Sequence, residues 1–267
     1  VGYPRLLLLF LTAGLLGACG GKGVENAVKR SMAQYELAVG LNQEGNLPGA
    51  FQAAERAVEL DPNNAKAHLF LGLLYLFQRT ENQVQYDQKA EEHFQQVLRI
   101  QSGESAFKEN LAADARNNLG VLYIHRKRYT EAVKELRLAV ADLYNRRPYL
   151  PWGNLGLAYL EMGEYEKARQ ALVRAVELQP LFCVGYYRLG QVYIAMRNLE
   201  KADKAFTQAI EADRRCGAFQ DAWRSRGEVR AQIGEREQAI ADLEKCVELE
   251  SSSDTGQVCL RLLETTH

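Results

Sequence analysis

The 267-residue sequence predicts an all-α protein, a superhelical solenoid of about six stacked helix pairs closed by a C-terminal capping helix. Three observations predict it. The pattern Leu-Gly-x-x-Tyr occurs at Leu71-Gly72…Tyr75, Leu119-Gly120…Tyr123, Leu155-Gly156…Tyr159 and Leu189-Gly190…Tyr193, the last two 34 residues apart. Twelve residues after the glycine comes a small residue in three of them, Ala132, Ala168 and Ala202. Gly45, Gly163 and Gly234 stand where a first helix must end in a left-handed turn before the second begins. Small residues at the helix crossing let two axes approach, and large residues three and four apart form the stripe between them.

Taken in order, the first eighteen residues differ from the rest. Arg5 is the one charge before Cys19, and Leu6 to Ala18 is an unbroken apolar and small run. That run is shorter than the roughly 20 residues a bilayer-spanning helix needs, and it has the size of a signal-peptide core. Its end, Leu16-Gly17-Ala18-Cys19, resembles the bacterial lipobox. The resemblance implies cleavage of residues 1–18 and acylation of Cys19, with several acyl chains giving a stable anchor where one binds marginally. Gly20 and Gly21 follow in place of the Asp that retains lipoproteins in the inner membrane, which implies the outer membrane. Residues 19–26 read as a lipidated tether. The repeat domain then runs over 27–267, with units at 31–64, 65–103, 113–146, 149–182, 183–216 and 220–253 and a cap at 254–267. Asp254 is the expected N-cap of the last helix.

These units resemble the tetratricopeptide repeat (TPR). Unit four carries the signature most fully, in Trp152, Leu155, Gly156, Tyr159, Tyr165, Ala168, Leu172, Ala175 and Pro180. Unit two is stretched by an insertion around Thr80 to Gln85, which delays its small residue to Ala90. Unit one has Ala38 for the glycine. Unit six has Arg226 and Arg230 for Leu and Tyr, as expected of a terminal unit whose outer face meets water. The resemblance implies a right-handed superhelix whose inner face comes from the first helix of each unit. Carried over by position, that face holds Tyr35 and Val39 in unit one, and Leu69, Leu73, Leu76 and Phe77 in unit two. It continues with Asn117, Val121 and Ile124 in unit three, Leu157 and Leu160 in unit four, and Tyr187, Gln191 and Ile194 in unit five; unit six turns polar. Such a surface suits an amphipathic or extended apolar peptide, unless a tighter superhelix buries the stripe as core. The carboxylate clamp of chaperone-binding TPR proteins is incomplete: Asn154 and Arg188 match it, but Val184 and Val121 stand where Lys and Asn are required. A free acidic C-terminus is therefore a poor ligand.

The remaining residues carry little chemistry. Net charge is −1, with 33 Lys and Arg against 34 Asp and Glu, which gives no electrostatic reason to expect nucleic acid. His68, His93, His125 and His267 read as scattered, with no zinc-site spacing. Esterase, zincin and phosphate-loop motifs are absent from the sequence, so neither catalytic residues, a metal, a cofactor nor a small-molecule substrate is expected. Cys183, Cys216, Cys246 and Cys259 allow three pairings, and export permits disulfides. Antiparallel helix ends bring 183 near 216, and the capping helix brings 259 near 246; a buried free thiol at Cys246 is the alternative. Arg126-Lys127-Arg128 and Arg146-Arg147-Pro148 read as solvated turns.

A lipidated six-unit array resembles the type IV pilus pilotin lipoproteins, the PilF/PilW/Tgl group. The local match lies in Asn118-Leu119-Gly120, Lys127-Arg128-Tyr129-Thr130-Glu131-Ala132 and Asn154-Leu155-Gly156-Leu157. The resemblance implies a non-catalytic scaffold, lipid-anchored to the outer membrane and facing the periplasm, that binds a secretin subunit and promotes its outer-membrane localisation and multimerisation. The alternative is a general envelope adaptor for peptidoglycan enzymes or outer-membrane protein assembly.

Overall fold

The structure, a computed structural model, describes residues 18–78, 81–102 and 111–266. The expected signal peptide before Ala18 and the side chain of Cys19 lie outside the described residues. The chain divides into two units, residues 1–105 and 106–267, each built of consecutive packed helix pairs.

The first unit holds α1 (Ala18–Gln43), α2 (Leu47–Leu60), α3 (Ala65–Phe77) and α4 (Gln83–Gln101). Gly45 turns left-handed at φ +79°, and Asn46 then caps α2 by accepting from the Gly49 N–H. Asn64 caps α3 in the same way through Ala67, and its Nδ2 donates to Ser31 Oγ, which donates to the Ala57 carbonyl. One buried asparagine thus ties three helices together. The crossing of α3 and α4 is set by Gly72, where a Cβ would come within 2.5 Å of Phe94. Residues 19–26, expected as a lipidated tether, lie within α1. Once a helix is nucleated each further residue is cheap to add, and the Glu25–Lys29 pair, one turn apart at 2.6 Å, supports the extension.

The second unit holds α5 (Ala112–His125), α6 (Tyr129–Ala141), α7 (Tyr149–Glu161), α8 (Tyr165–Leu178), α9 (Cys183–Ala195), α10 (Leu199–Glu211), a 3-10 turn at Arg214–Ala218, α11 (Gln220–Gln232), α12 (Arg236–Leu249) and α13 (Asp254–Thr266). The turns closing α5, α7, α9 and α11 share one geometry, with Lys127, Gly163, Arg197 and Gly234 at positive φ. In the first three, the next N–H reaches back to the carbonyl of the signature tyrosine: Arg128 to Tyr123, Glu164 to Tyr159 and Asn198 to Tyr193. Each of those tyrosines also carries a cation over its ring, Arg128 at 4.3 Å, Lys167 at 5.6 Å and Lys201 at 5.8 Å. Gly120, Gly156 and Gly190 face Leu136, Leu172 and Phe206 so closely that a Cβ would fall within 2.5 Å.

Unit six corrects one expectation. Arg226 does not meet water; it is 5% exposed. Its guanidinium grips Asp242 with two bonds of 2.7 and 2.9 Å and donates to Thr207, while Arg230 bridges Asp203 and Asp242. A fork-to-fork ion pair fills the space that Leu and Tyr fill elsewhere. The helix α13 packs on both α11 and α12.

Candidate partner-binding surface

The first helices α1 and α3 of the first unit, and α5, α7 and α9 of the second, carry the positions expected to face a partner. Phe77 is 65% exposed and Ile194 is 38% exposed. Tyr35, Val39, Leu69, Leu73, Asn117, Val121, Leu157, Leu160, Tyr187 and Gln191 are half-buried. Two of the expected residues are not on the surface: Leu76 is 3% exposed and Ile124 9%. Both belong to the interior, although Ile194 holds the same place in its unit as Ile124 and stays open. Tyr187 and Leu160 are divided between the two roles. Tyr187 packs on Phe206 and Phe219 at ring distances of 5.7 and 4.8 Å, and Leu160 packs on the cluster around Leu172 and Leu189.

The faces of α5, α7 and α9 are joined by a polar ladder. Arg188 Nη1 donates to Asn154 Oδ1 at 3.0 Å, and Asn154 Nδ2 donates to Asn117 Oδ1 at 2.9 Å. Burial pushes the Arg188 guanidinium down to about 10, and no carboxylate lies within hydrogen-bonding reach of it among the described residues. Elsewhere in this unit arginines that leave the surface are paired: Arg116 with Glu135, Arg224 with Glu228, Arg226 and Arg230 with Asp242. The sequence placed Asn154 and Arg188 at two positions of one clamp but carried no sign that Asn117 joins them.

The first unit holds a second polar cluster that the sequence missed. His68 and His93, read as scattered, meet with their Nδ1 atoms 2.9 Å apart, and His68 Nε2 bonds the Pro62 carbonyl at 3.0 Å. The carbonyl is an acceptor, so His68 carries its proton on Nε2 and accepts at Nδ1 from His93. Burial lowers both His68 and His93, and charge on His68 further disfavours protonation of His93, which puts His93 at about 4. The Tyr75 ring stacks on His93 at 5.7 Å. Beside it, Phe51, Tyr75 and Tyr86 line a cleft with Glu55, but Lys89 already sits 5.0 Å over the Tyr75 ring. Among the described residues no group of three His, Cys, Asp or Glu is placed to hold a metal ion, and no helix is long and apolar enough to cross a membrane.

The four cysteines form two disulfides. Cys183–Cys216, with Cα atoms 5.7 Å apart, ties the start of α9 to the 3-10 turn; Cys246–Cys259, at 6.3 Å, ties α12 to α13. Cys246 and Cys259 are fully buried with Leu243.

Known proteins agree with this architecture. Tetratricopeptide repeats match residues 88–148, 149–181, 185–216 and 221–253. The type IV pilus assembly protein PilF of Pseudomonas aeruginosa is 28% identical over 65% of this chain, an alignment that spans 66% of PilF. The crystal structure of PilW, a widely conserved type IV pilus biogenesis factor, superposes with a TM-score of 0.71 at 22% identity, covering 86% of this chain and 98% of PilW. The structure of Pseudomonas aeruginosa pilF gives 0.68 at 20% identity, covering 90% of this chain and 99% of that one. With repeat matches over more than half of its length, and helix pairs that reproduce the repeat's glycine crossings and left-handed turns, the chain belongs to the tetratricopeptide repeat family.

Proposed function

We propose that the protein is a scaffold of type IV pilus assembly, anchored to the outer membrane through acylated Cys19 and facing the periplasm, that binds a secretin subunit and promotes its multimerisation there. The observation that carries the binding role is the part-open face of α5, α7 and α9. There Val121, Leu157 and Ile194 keep apolar surface accessible beside unspent hydrogen-bond donors. A face of this kind holds a polypeptide by shape and polarity, through contacts made and released without bond chemistry. The similarity to PilF, a type IV pilus assembly protein, supports the pilus setting, and the lipobox-like Leu16-Gly17-Ala18-Cys19 supports the anchor.

The test is a deletion strain. Secretin should remain monomeric, shown by loss of heat-resistant multimers on gels, while unrelated outer-membrane proteins assemble normally. The full chain should restore multimers, and Cys19→Ser should fail through mislocalisation with its repeats still folded. Normal secretin multimers in the deletion strain refute the reading. Recovery of peptidoglycan enzymes or barrel-assembly proteins as the dominant partner from native membranes favours a general envelope adaptor instead.

A further inference from the structure

The two disulfides stand in opposite surroundings. Cys246 and Cys259 are both 0% exposed and are walled in by Leu243, Trp223, Val247 and Leu262. Cys183, the first residue of α9, is half-buried, and with Cys216, Leu181, Val184, Arg215 and Phe219 it lines a cleft of about 370 Å³. That cleft is open to solvent, since Leu181 is 53% exposed and the Arg215 side chain 90%.

Thiol–disulfide exchange needs a thiolate to reach one sulfur from the side away from the other, so access decides which bond reacts and at which end. Cys216 is 1% exposed, which leaves Cys183 as the end open to attack. A dithiol supplies both steps. Its first thiolate bonds to Cys183 Sγ, the Sγ–Sγ bond breaks, and the electron pair leaves on Cys216 Sγ, which takes up a proton. Its second thiolate then displaces Cys183 Sγ, which also takes up a proton. The dithiol ends as a disulfide, and two electrons and two protons have passed to the cysteines.

The bond restrains the junction between units five and six. Cys216 sits in the 3-10 turn, and Phe219 at the end of that turn packs on Tyr187 at 4.8 Å, one turn of α9 beyond Cys183. Trp223 Nε1 donates to the Gly217 carbonyl at 2.8 Å, so an opened bond leaves the turn held to α11 and frees it from its covalent tie to α9. The freed side is the one that carries Tyr187, a residue of the first-helix face.

We propose that Cys183–Cys216 is a thiol–disulfide exchange site for a dithiol, attacked at Cys183, whose opening releases the 3-10 turn from α9 while Cys246–Cys259 stays closed.

The test uses the oxidised full chain under native conditions, with dithiothreitol as the dithiol. Samples taken over time are trapped with N-ethylmaleimide and mapped by mass spectrometry. Cys183 and Cys216 should be labelled at least tenfold faster than Cys246 and Cys259, at a rate unchanged by urea below the unfolding transition. With glutathione as a monothiol probe, the trapped intermediate should carry glutathione on Cys183 and N-ethylmaleimide on Cys216. In the singly opened chain, hydrogen exchange should quicken at the Cys216 and Phe219 amides, which bond the Asp213 and Cys216 carbonyls, and stay unchanged in α12 and α13. Equal labelling of the two bonds, or a rate that climbs with urea, means that the bond opens only as the chain unfolds and overturns the proposal. Glutathione recovered on Cys216 overturns the attacked end. Unchanged exchange at Cys216 and Phe219 shows that the bond restrains nothing there and overturns the release.

Discussion

Replacing Gly156 by alanine tests the packing that positions the binding face. A Cβ there would lie 2.4 Å from Leu172 Cγ and 2.9 and 3.1 Å from its two methyl carbons. Carbon atoms rest at about 3.5–4.0 Å, so α7 and α8 must part by about 1 Å or Leu172 must leave its rotamer. Overpacking of this kind costs about 1–3 kcal/mol. It is offset by the gain of about 1 kcal/mol from putting alanine in place of glycine in a helix interior. The net effect in the wild-type background is a loss of up to about 2 kcal/mol. Leu172→Ala alone should cost about 2–5 kcal/mol, since Leu172 is fully buried. With Leu172 truncated, the added methyl enters vacated space, so Gly156→Ala should become stabilising by about 1 kcal/mol. The sign reversal amounts to a coupling of about 1–3 kcal/mol in a double-mutant cycle. Urea unfolding followed by Trp152 and Trp223 fluorescence together with circular dichroism measures all four proteins; both probes are needed because repeat arrays need not melt as one unit. Equal effects of Gly156→Ala in the two backgrounds would refute the claim that glycine is there to let the helices touch.

Three further outcomes come from the same geometry. Ile194→Glu should preserve the thermal midpoint to within a few degrees and abolish partner capture in a pull-down, whereas Ile124→Glu should unfold the second unit, because a carboxylate at a 9% exposed position has no partner; a stable Ile124→Glu variant returns that residue to the surface. Lys127→Gly and Arg197→Gly should each stabilise by up to about 1 kcal/mol in urea titrations, since both hold φ near +57° where glycine is unstrained; destabilisation by either would mean the side chain outweighs the strain. Lowering the pH from 7.5 to 5 should lower the urea midpoint: His93 titrates at about 4 in the folded protein and near 6.5 when unfolded, so the unfolded chain binds more protons across that window and stability is lost as pH falls. His93→Gln should flatten the slope, and a flat wild-type profile over that range argues against a neutral histidine pair.

Much of the fold is legible in the sequence because each signature residue answers a local demand. The expected unit starts at 65, 149, 183 and 220 coincide with the first residues of α3, α7, α9 and α11. Gly45, Gly163 and Gly234 act within a few residues of themselves, and so can be read from spacing. Lys127 and Arg197 escape the same reading because the turn is imposed by the helix pair around it, and strain is tolerated where packing demands it. Arg226 and Arg230 look degraded in isolation; only the presence of Asp203 and Asp242 on adjoining helices turns them into an interior.

The binding face shows most clearly where local reading stops. Ile124 and Ile194 occupy the same place in their units, yet one is enclosed and the other open. The difference lies in how the next unit approaches each helix. The helix α7 comes directly against α5, while α11 makes no comparable approach to α9, because the 3-10 turn at Arg214–Ala218 is interposed before unit six. For this pair the approach of the next first helix, not the residue, sets the exposure. The ladder obeys the same logic: Asn117 and Asn154 are 37 residues apart and Asn154 and Arg188 are 34 apart, so no period-34 reading aligns all three. The extra residues between units three and four bring Asn117 into reach of Asn154 from one position earlier in its helix.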